Sequence, residues 1–215
     1  IGSQYEFRRS IPWSDDDAPG FGASRANYET MVIAGNTFDY PELHGQSIVK
    51  AGYSYVSSSD EAVSSGKVNL NDYKLMDLIL GKQRQVKIGR GVHEAQFKTF
   101  PAELQQAIST YCNQGGNVLV SGAYVGSDLW DSENVQPKDI AFAKDVLKYN
   151  WRTGQASVTG EVKSVVSPFG MISGKYEFHN ELNGTSYVVE SPDAVEPADP
   201  ACFTIFRYSE NNLSA

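Results

Sequence analysis

Short apolar runs alternate with amphipathic segments over the first two thirds of the chain, and this alternation predicts the fold class. Continuous apolar runs lie at residues 30–34, 73–80 and 117–122, each ending at or beside a glycine. Runs of this length are typical of strands buried on both faces of a sheet. The second run also fits a short helix, and we favour the strand.

Amphipathic segments with helix-start residues lie between these runs. One helix is predicted over residues 41–52, beginning at a proline, with its apolar side chains on one face. A second is predicted over 101–113, with Thr99 as its N-terminal cap and Gly115 at its end. A third opens at Pro137. A short strand is also predicted at 53–57.

The pattern changes after Asn150, where strand-like segments are separated by glycine, proline and asparagine turns. This texture is typical of antiparallel strands. The predicted strands lie within residues 155–166, 171–178, 185–190 and 202–208.

Three regions follow from these patterns. Residues 1–27 have neither helical nor strand periodicity and form a predicted irregular N-terminal arm. Strand and helix alternation over 28–150 predicts parallel strands with right-handed crossovers, and therefore a three-layer α/β core with a mostly parallel sheet. Residues 151–215 are predicted to form an antiparallel β extension of the same domain.

The composition restricts the classes of binding partner more than it restricts the chemistry of the protein. The chain has 215 residues, with Lys+Arg 18 and Asp+Glu 26, which gives 18 − 26 = −8. This acidic balance argues against nucleic acid and anionic membranes as partners. A neutral or cationic partner is easier to accommodate, and no apolar run has the ~20 residues that cross a bilayer.

The two cysteines, Cys112 and Cys202, are too few for a disulfide framework and lack the spacing of a zinc site. We therefore expect buried free thiols, no metal and no cofactor. Ile1 is neither an initiator methionine nor the start of a signal peptide. We expect the chain to be part of a larger protein and to contact other domains of it.

Ligands of open α/β sheets bind beyond the carboxyl ends of the strands, so the loops after the apolar runs are the candidate site. The first loop offers Asn36, Asp39 and His44, which are able to bind or activate a polar substrate. The alternative is that Asn36 and Asp39 shape the turn and that His44 packs on its helix.

The second loop, residues 81–98, carries His93 among several cations and is long enough to be functional or mobile. Its Gly-Lys pair lacks the rest of a phosphate-binding loop. An acidic sugar is one candidate ligand, and a solvated loop is the alternative.

The third loop combines aromatic rings with carboxylates, the residue types that commonly hold sugars. Tyr124, Trp130 and Asp128 are the candidate substrate-binding residues here. The alternative is that the aromatic side chains are core or interface residues. Ser121 lacks the flanking glycines of a nucleophile elbow, so no catalytic residue is assigned.

Three segments carry a resemblance to a known family: residues 32–41 (VIAGNTFDYP), 77–83 (DLILGKQ) and 115–124 (GGNVLVSGAY). The chain resembles a domain of large secreted proteins of the Bacteroides type that are often labelled xanthan lyases. The core is also similar to the flavodoxin-like, class I glutamine amidotransferase-like fold. The nucleophilic cysteine of amidotransferases lies on a strand-to-helix elbow, and neither Cys112 nor Cys202 is placed there.

The resemblance implies a secreted, cell-surface or periplasmic protein that acts in a polysaccharide context. We expect a carbohydrate-binding or accessory module that uses the carboxyl-edge loops. The alternatives are a hydrolase or lyase at the same edge, with Asp39 or His44 as base and Asp128 as partner, and a structural spacer.

Overall fold

The computed structural model describes residues 40–81, 86–88, 95–132, 135–174, 176–177, 189 and 192–215. The predicted arm 1–27 and the first apolar run 30–34 lie outside the described residues. The described residues divide into two compact units, one up to Gly122 and the other from Ala123 onward.

The first unit places helices around a parallel strand pair. Its elements are α1 (Tyr40–Lys50), α2 (Asp60–Ser64), a 3-10 helix (Leu70–Asp72), β1 (Leu75–Gly81), β2 (Val86–Ile88), β3 (Ala95–Phe97), α3 (Ala102–Asn113) and β4 (Asn117–Gly122). β1 and β4 run parallel, from the pair Leu75–Asn117 to the pair Gly81–Gly122, and β2 and β3 form an antiparallel pair.

The strand predicted over 73–80 and the helix predicted over 101–113 are confirmed as β1 and α3. The predicted apolar face of α3 is buried through Leu104, Ile108 and Tyr111. The helix ends where Gly115 takes a φ of +89°, a left-handed conformation that favours glycine. Gly116 must also be a glycine, because a Cβ there would lie 2.4 Å from the Tyr111 ring.

Four local predictions in this unit are wrong. Residues 53–57 form no strand, and their Tyr and Val side chains are exposed. Thr99 does not cap α3, because the helix begins one residue after Pro101 and Thr99 is buried. The predicted loop 81–98 contains the β2–β3 pair. The strand at 117–122 is only partly buried, since Leu119 is exposed.

The second unit is built mainly from antiparallel strands. Its elements are α4 (Ser127–Trp130), α5 (Pro137–Ala141) with a π-helical turn (Phe142–Val146), β5 (Tyr149–Thr153), β6 (Glu161–Ser164), β7 (Tyr176–Glu177), β8 (Ala194–Pro197) and β9 (Phe206–Tyr208). β5 pairs with β8, and β6 lies between β7 and β9. Ala156, Ala194 and Tyr208 form a buried cluster here.

The predicted helix at Pro137 and the predicted antiparallel character of the later region are confirmed. The observed strands β6, β7 and β9 are shorter than the predicted ones. The predicted strand 185–190 lies outside the described residues apart from Val189. β5 was not predicted, because the helical pattern runs up to it; Lys148, with a φ of 65°, separates helix from strand.

The fold class is therefore mixed α/β. A parallel pair lies in the first unit, and antiparallel sheets make up the rest of the sheet structure in the described part of the chain. Among the helices described there, none is long and apolar enough to cross a membrane.

Candidate functional site

A histidine and an aspartate from different elements meet in the first unit. His44 lies on α1 and Asp77 on β1, and His44 Nδ1 is 2.7 Å from Asp77 Oδ2. A carboxylate only accepts hydrogen bonds, so Nδ1 donates. In this tautomer the Nε2 lone pair of the imidazole is left to accept a proton or a donor group. Both side chains are only partly buried.

Two exposed tyrosines follow α1 in the chain, Tyr53 bonded to it through its backbone and Tyr55 in contact with it through its ring. The Tyr53 N–H donates to the Ile48 carbonyl at 3.1 Å. The Tyr55 ring covers Gly45, where an added Cβ would fall 2.3 Å from Tyr55 Cζ. The exposed fractions are 69% for Tyr53 and 47% for Tyr55. Gly45, the residue after His44 in α1, therefore provides the space for the Tyr55 ring.

We call the set His44, Tyr53, Tyr55 and Asp77 the α1 surface. Of these, His44 was a sequence-based candidate, and the other three were not. Chain order alone does not pair residues 44 and 77, and the tyrosines were assigned to a strand. The sequence feature that could have identified the tyrosines is their spacing of two residues, directly after a predicted helix that contains a central glycine.

The candidates in the loop after β4 lie in the second unit. Tyr124 and Asp128 are 5% and 1% exposed, which is the burial of core side chains. Trp130 is partly buried, and its Nε1 is buried without a hydrogen-bond partner among the described residues. Ligand binding by these three residues stays a prediction. Asn36, Asp39 and His93 lie outside the described residues.

A buried carboxylate that sequence reasoning missed organises this loop. Asp193 Oδ2 accepts hydrogen bonds from the backbone N–H groups of Gly126 and Ser127, at 2.6 and 2.7 Å. Oδ1 accepts from the Ser127 hydroxyl and, at 3.1 Å, from Trp151 Nε1. Burial raises the pKa of Asp193, although these hydrogen bonds act in the opposite direction. Asp193 thus anchors the start of α4.

Thiol and metal chemistry find little support in the described part of the chain. Cys112 lies inside α3 and Cys202 before β9, and both are free. Burial raises the pKa of the Cys112 thiol, which disfavours the nucleophilic thiolate. No group of three or more His, Cys, Asp or Glu side chains among the described residues is arranged around a common metal position.

The chain matches no family model, no curated protein and no solved structure. The resemblance to proteins labelled xanthan lyases stays a prediction.

Proposed function

We propose that this protein is a carbohydrate-binding accessory module of a secreted polysaccharide-processing protein, and that the α1 surface binds the carbohydrate. The observation that carries the proposal is that two neighbouring residues of α1 hold polar and aromatic groups: Gly45 contacts the exposed Tyr55 ring, and His44 is hydrogen-bonded to Asp77. An aromatic ring and an oriented imidazole are thereby both held at α1.

Sugar rings present apolar C–H faces and a rim of hydroxyl groups. Tyrosine rings provide large, amphipathic contact area at low cost in conformational entropy. The Cα atoms of Tyr53 and Tyr55 are at most about 7 Å apart, because each residue extends the chain by no more than about 3.6 Å. Two tyrosines whose Cα atoms are this close are suited to contact neighbouring units of one glycan chain.

The polar groups of the α1 surface supply hydrogen bonds to hydroxyls. His44 Nε2 accepts from a hydroxyl while Nδ1 is held by Asp77. The net charge of −8 disfavours anionic ligands at long range. We therefore expect neutral polysaccharides to bind more tightly than acidic ones.

The proposal also includes the fold class, the location of the protein and its other partners. The parallel pair β1–β4, joined through α3, supports a three-layer, flavodoxin-like core. The resemblance to secreted proteins labelled xanthan lyases supports a location outside the cytoplasm or at the cell surface. It also supports contacts with other domains of a larger chain, and neither nucleic acid nor a membrane is proposed as a partner.

A second candidate function is a hydrolase or lyase, and the His44–Asp77 pair favours it. A carboxylate that orients an imidazole is a recurring arrangement for a general base. In this reading His44 Nε2 takes the proton, and Asp77 is a positioning residue.

Binding to a series of neutral and acidic polysaccharides tests the first proposal, with wild type compared with Tyr53→Ala, Tyr55→Ala and the double variant. We expect each single variant to lose affinity and the double variant to lose at least about tenfold, as for removal of two contact aromatics. Phe169→Ala, at an exposed aromatic of the second unit, is the matched control. Unchanged binding in the double variant, or loss in the control, would overturn the assignment.

Assays for reducing ends and unsaturated products on the same samples separate the two functions. Binding without product in the wild type supports the accessory module. Product formation that His44→Gln abolishes, with binding retained, supports the enzyme.

A further inference from the structure

An exposed apolar loop connects β6 to β7 in the second unit. Val166, Phe169 and Met171 are 81%, 72% and 66% exposed. The Phe169 ring packs edge-to-face on the ring of Phe203, with their centroids 5.5 Å apart, so the aromatic part of this surface is already held in place. Exposed apolar patches on soluble proteins mark interaction sites. We call residues 166–172 the apolar tip.

The outward face of the same sheet carries two rows of like charge. Lys163 of β6 lies directly opposite Arg207 of β9, and Glu161 of β6 lies opposite Glu177 of β7. Alternate residues of a strand point to one face, so all four side chains share a face. The other face is buried, because Tyr208 lies in the core cluster. We call Glu161, Lys163, Glu177 and Arg207 the charged face.

The basic row of the charged face is not neutralised by the described part of the chain. Like charges directly opposite each other on neighbouring strands destabilise a sheet. The ion pairs among the described residues lie elsewhere, and neither Lys163 nor Arg207 takes part in one. Arg207 Nη1 instead donates to the neutral carbonyl of Asn212 at 2.7 Å. An external carboxylate would therefore find two available cations.

A second copy of the chain matches both rows at once. When two such sheets stack face to face with antiparallel strands, the basic row of each copy lies against the acidic row of the other. A two-fold interface requires a self-complementary surface of this kind. A purely acidic or purely basic partner would match one row and oppose the other. The two rows also cancel in charge, so the net charge of −8 is not concentrated here.

We propose that two copies of the chain form a two-fold dimer through the charged face and the apolar tip. The charged rows set the register, and the apolar tip supplies the apolar area that interface cores contain. A short three-stranded sheet and one loop make a small interface, and interfaces that bury less than about 1,200 Å² are weak or transient. We therefore expect a dissociation constant in the micromolar range.

The test measures the molar mass of the whole chain by sedimentation equilibrium over a range of concentrations, at low and at high salt. We expect the wild type to dimerise as its concentration rises, and high salt to weaken the dimer by screening the charges. Glu161→Lys and Lys163→Glu should each weaken it at least about tenfold, because like charges then meet across the interface. Phe169→Ala should have a similar effect, as the loss of an aromatic anchor.

A mixture of Glu161→Lys with Lys163→Glu tests the self-complementarity directly. Both β6 positions are basic in the first variant and acidic in the second, so the mixed dimer regains opposite charges. We expect the mixture to associate at least about tenfold more tightly than either variant alone. Lys144→Glu, at an exposed lysine of the π-helical turn, is the matched control and should dimerise as the wild type does.

Circular dichroism checks that each variant folds. A wild type that stays monomeric at every concentration would overturn the proposal and favour a different molecule as the partner of the apolar tip. A mixture that associates no more tightly than its separate components would also overturn it. Carbohydrate titrations at concentrations where the chain is monomeric do not depend on this dimer. Phe169→Ala therefore stays a control for the α1 surface, and failure of either proposal leaves the other intact.

Discussion

The Asp77 carboxylate accepts a hydrogen bond from His44 Nδ1 at 2.7 Å, across a separation of 33 residues. Asp77 is the third residue of β1, opposite Leu119 of β4, so the bond ties α1 to the parallel strand pair. Because Nδ1 is engaged by Asp77, the bond leaves Nε2 as the imidazole nitrogen available to a ligand. The α1 surface thus combines an oriented imidazole with the Tyr55 ring on Gly45.

The tautomer of His44 is a direct consequence of this bond. We expect nitrogen NMR of the neutral imidazole to show a protonated Nδ1 and a bare Nε2 in the wild type. Asp77→Ala should remove this preference and lower the free energy of unfolding by about 1–2 kcal/mol, because a hydrogen bond to a charged group is lost. A wild-type imidazole protonated at Nε2 would contradict the described pair.

The stability of the protein should fall as the pH rises towards neutrality. Burial raises the pKa of Asp60 to about 7 in the folded state, from 3.8 as the reference value. Between these values the folded state holds a proton that the unfolded state has lost. The free energy of unfolding from this group therefore decreases by up to about 1.4 kcal/mol per pH unit and levels off above pH 7.

Urea unfolding between pH 4 and 8 measures this slope. Asp60→Asn should flatten it, because the amide does not titrate, whereas Glu103→Gln should leave it in place. A wild-type slope equal to that of Asp60→Asn would show that Asp60 has an ordinary pKa.

Asp193 should be among the most sensitive positions of the second unit. Replacement by alanine leaves the N–H groups of Gly126 and Ser127 and the Trp151 indole N–H without their acceptor. We expect a loss of about 2–4 kcal/mol in the free energy of unfolding. Asp199→Ala, which removes the acceptor of one backbone N–H, is the control. Equal losses in the two variants would contradict the anchoring role.

Glu210 holds the 157–159 loop through its carboxylate. It accepts from the backbone N–H groups of Val158 and Thr159 and from the Ser157 hydroxyl. Hydrogen bonds from Thr159 and its neighbours lower the pKa of Glu210 to about 2. The contribution of this carboxylate is therefore present above its ordinary pKa of 4.5 and is lost as the pH falls through about 2.

Amide hydrogen exchange at pH 5 tests this arrangement. Glu210→Gln should accelerate exchange at Val158 and Thr159, because the charged acceptor is lost. Glu161→Gln, at an exposed carboxylate of β6, should leave both amides unchanged. Equal exchange rates in the wild type and in Glu210→Gln would contradict the role of the Glu210 carboxylate in holding the 157–159 loop.

Elements with a sustained pattern and clear end signals could be predicted from the sequence. The apolar face of α3, the glycines at 115 and 116 and the runs that form β1 and β4 are local features. Residues 53–57 misled the prediction because β-branched and aromatic side chains favour a strand, whereas here they are exposed and pair with no strand among the described residues. β5 was missed because the chain leaves the helix through a left-handed conformation at Lys148. Lysine rarely adopts this conformation, so the residue type does not indicate that the helix ends there.

The candidate site depends on contacts that sequence does not encode locally. His44 was identifiable as a chemical group, but its partner Asp77 lies in a strand that reads as core. Asp193 follows a proline in a turn, and nothing in that pattern shows that it accepts four hydrogen bonds. Tyr124 and Asp128 were identified as candidate binding residues, but both are buried. An aromatic residue near an acidic one gives the same sequence pattern whether the side chains face solvent or the core.

The central claim is that carbohydrate binds at the α1 surface. The most direct measurement is a titration of the ¹⁵N-labelled protein with a neutral oligosaccharide that binds, followed by amide chemical shifts. The account predicts the largest shifts at Gly45, Ser54 and Tyr55, and their loss in the Tyr53→Ala, Tyr55→Ala double variant. Shifts confined to the second unit, around Phe169 and Met171, would contradict it.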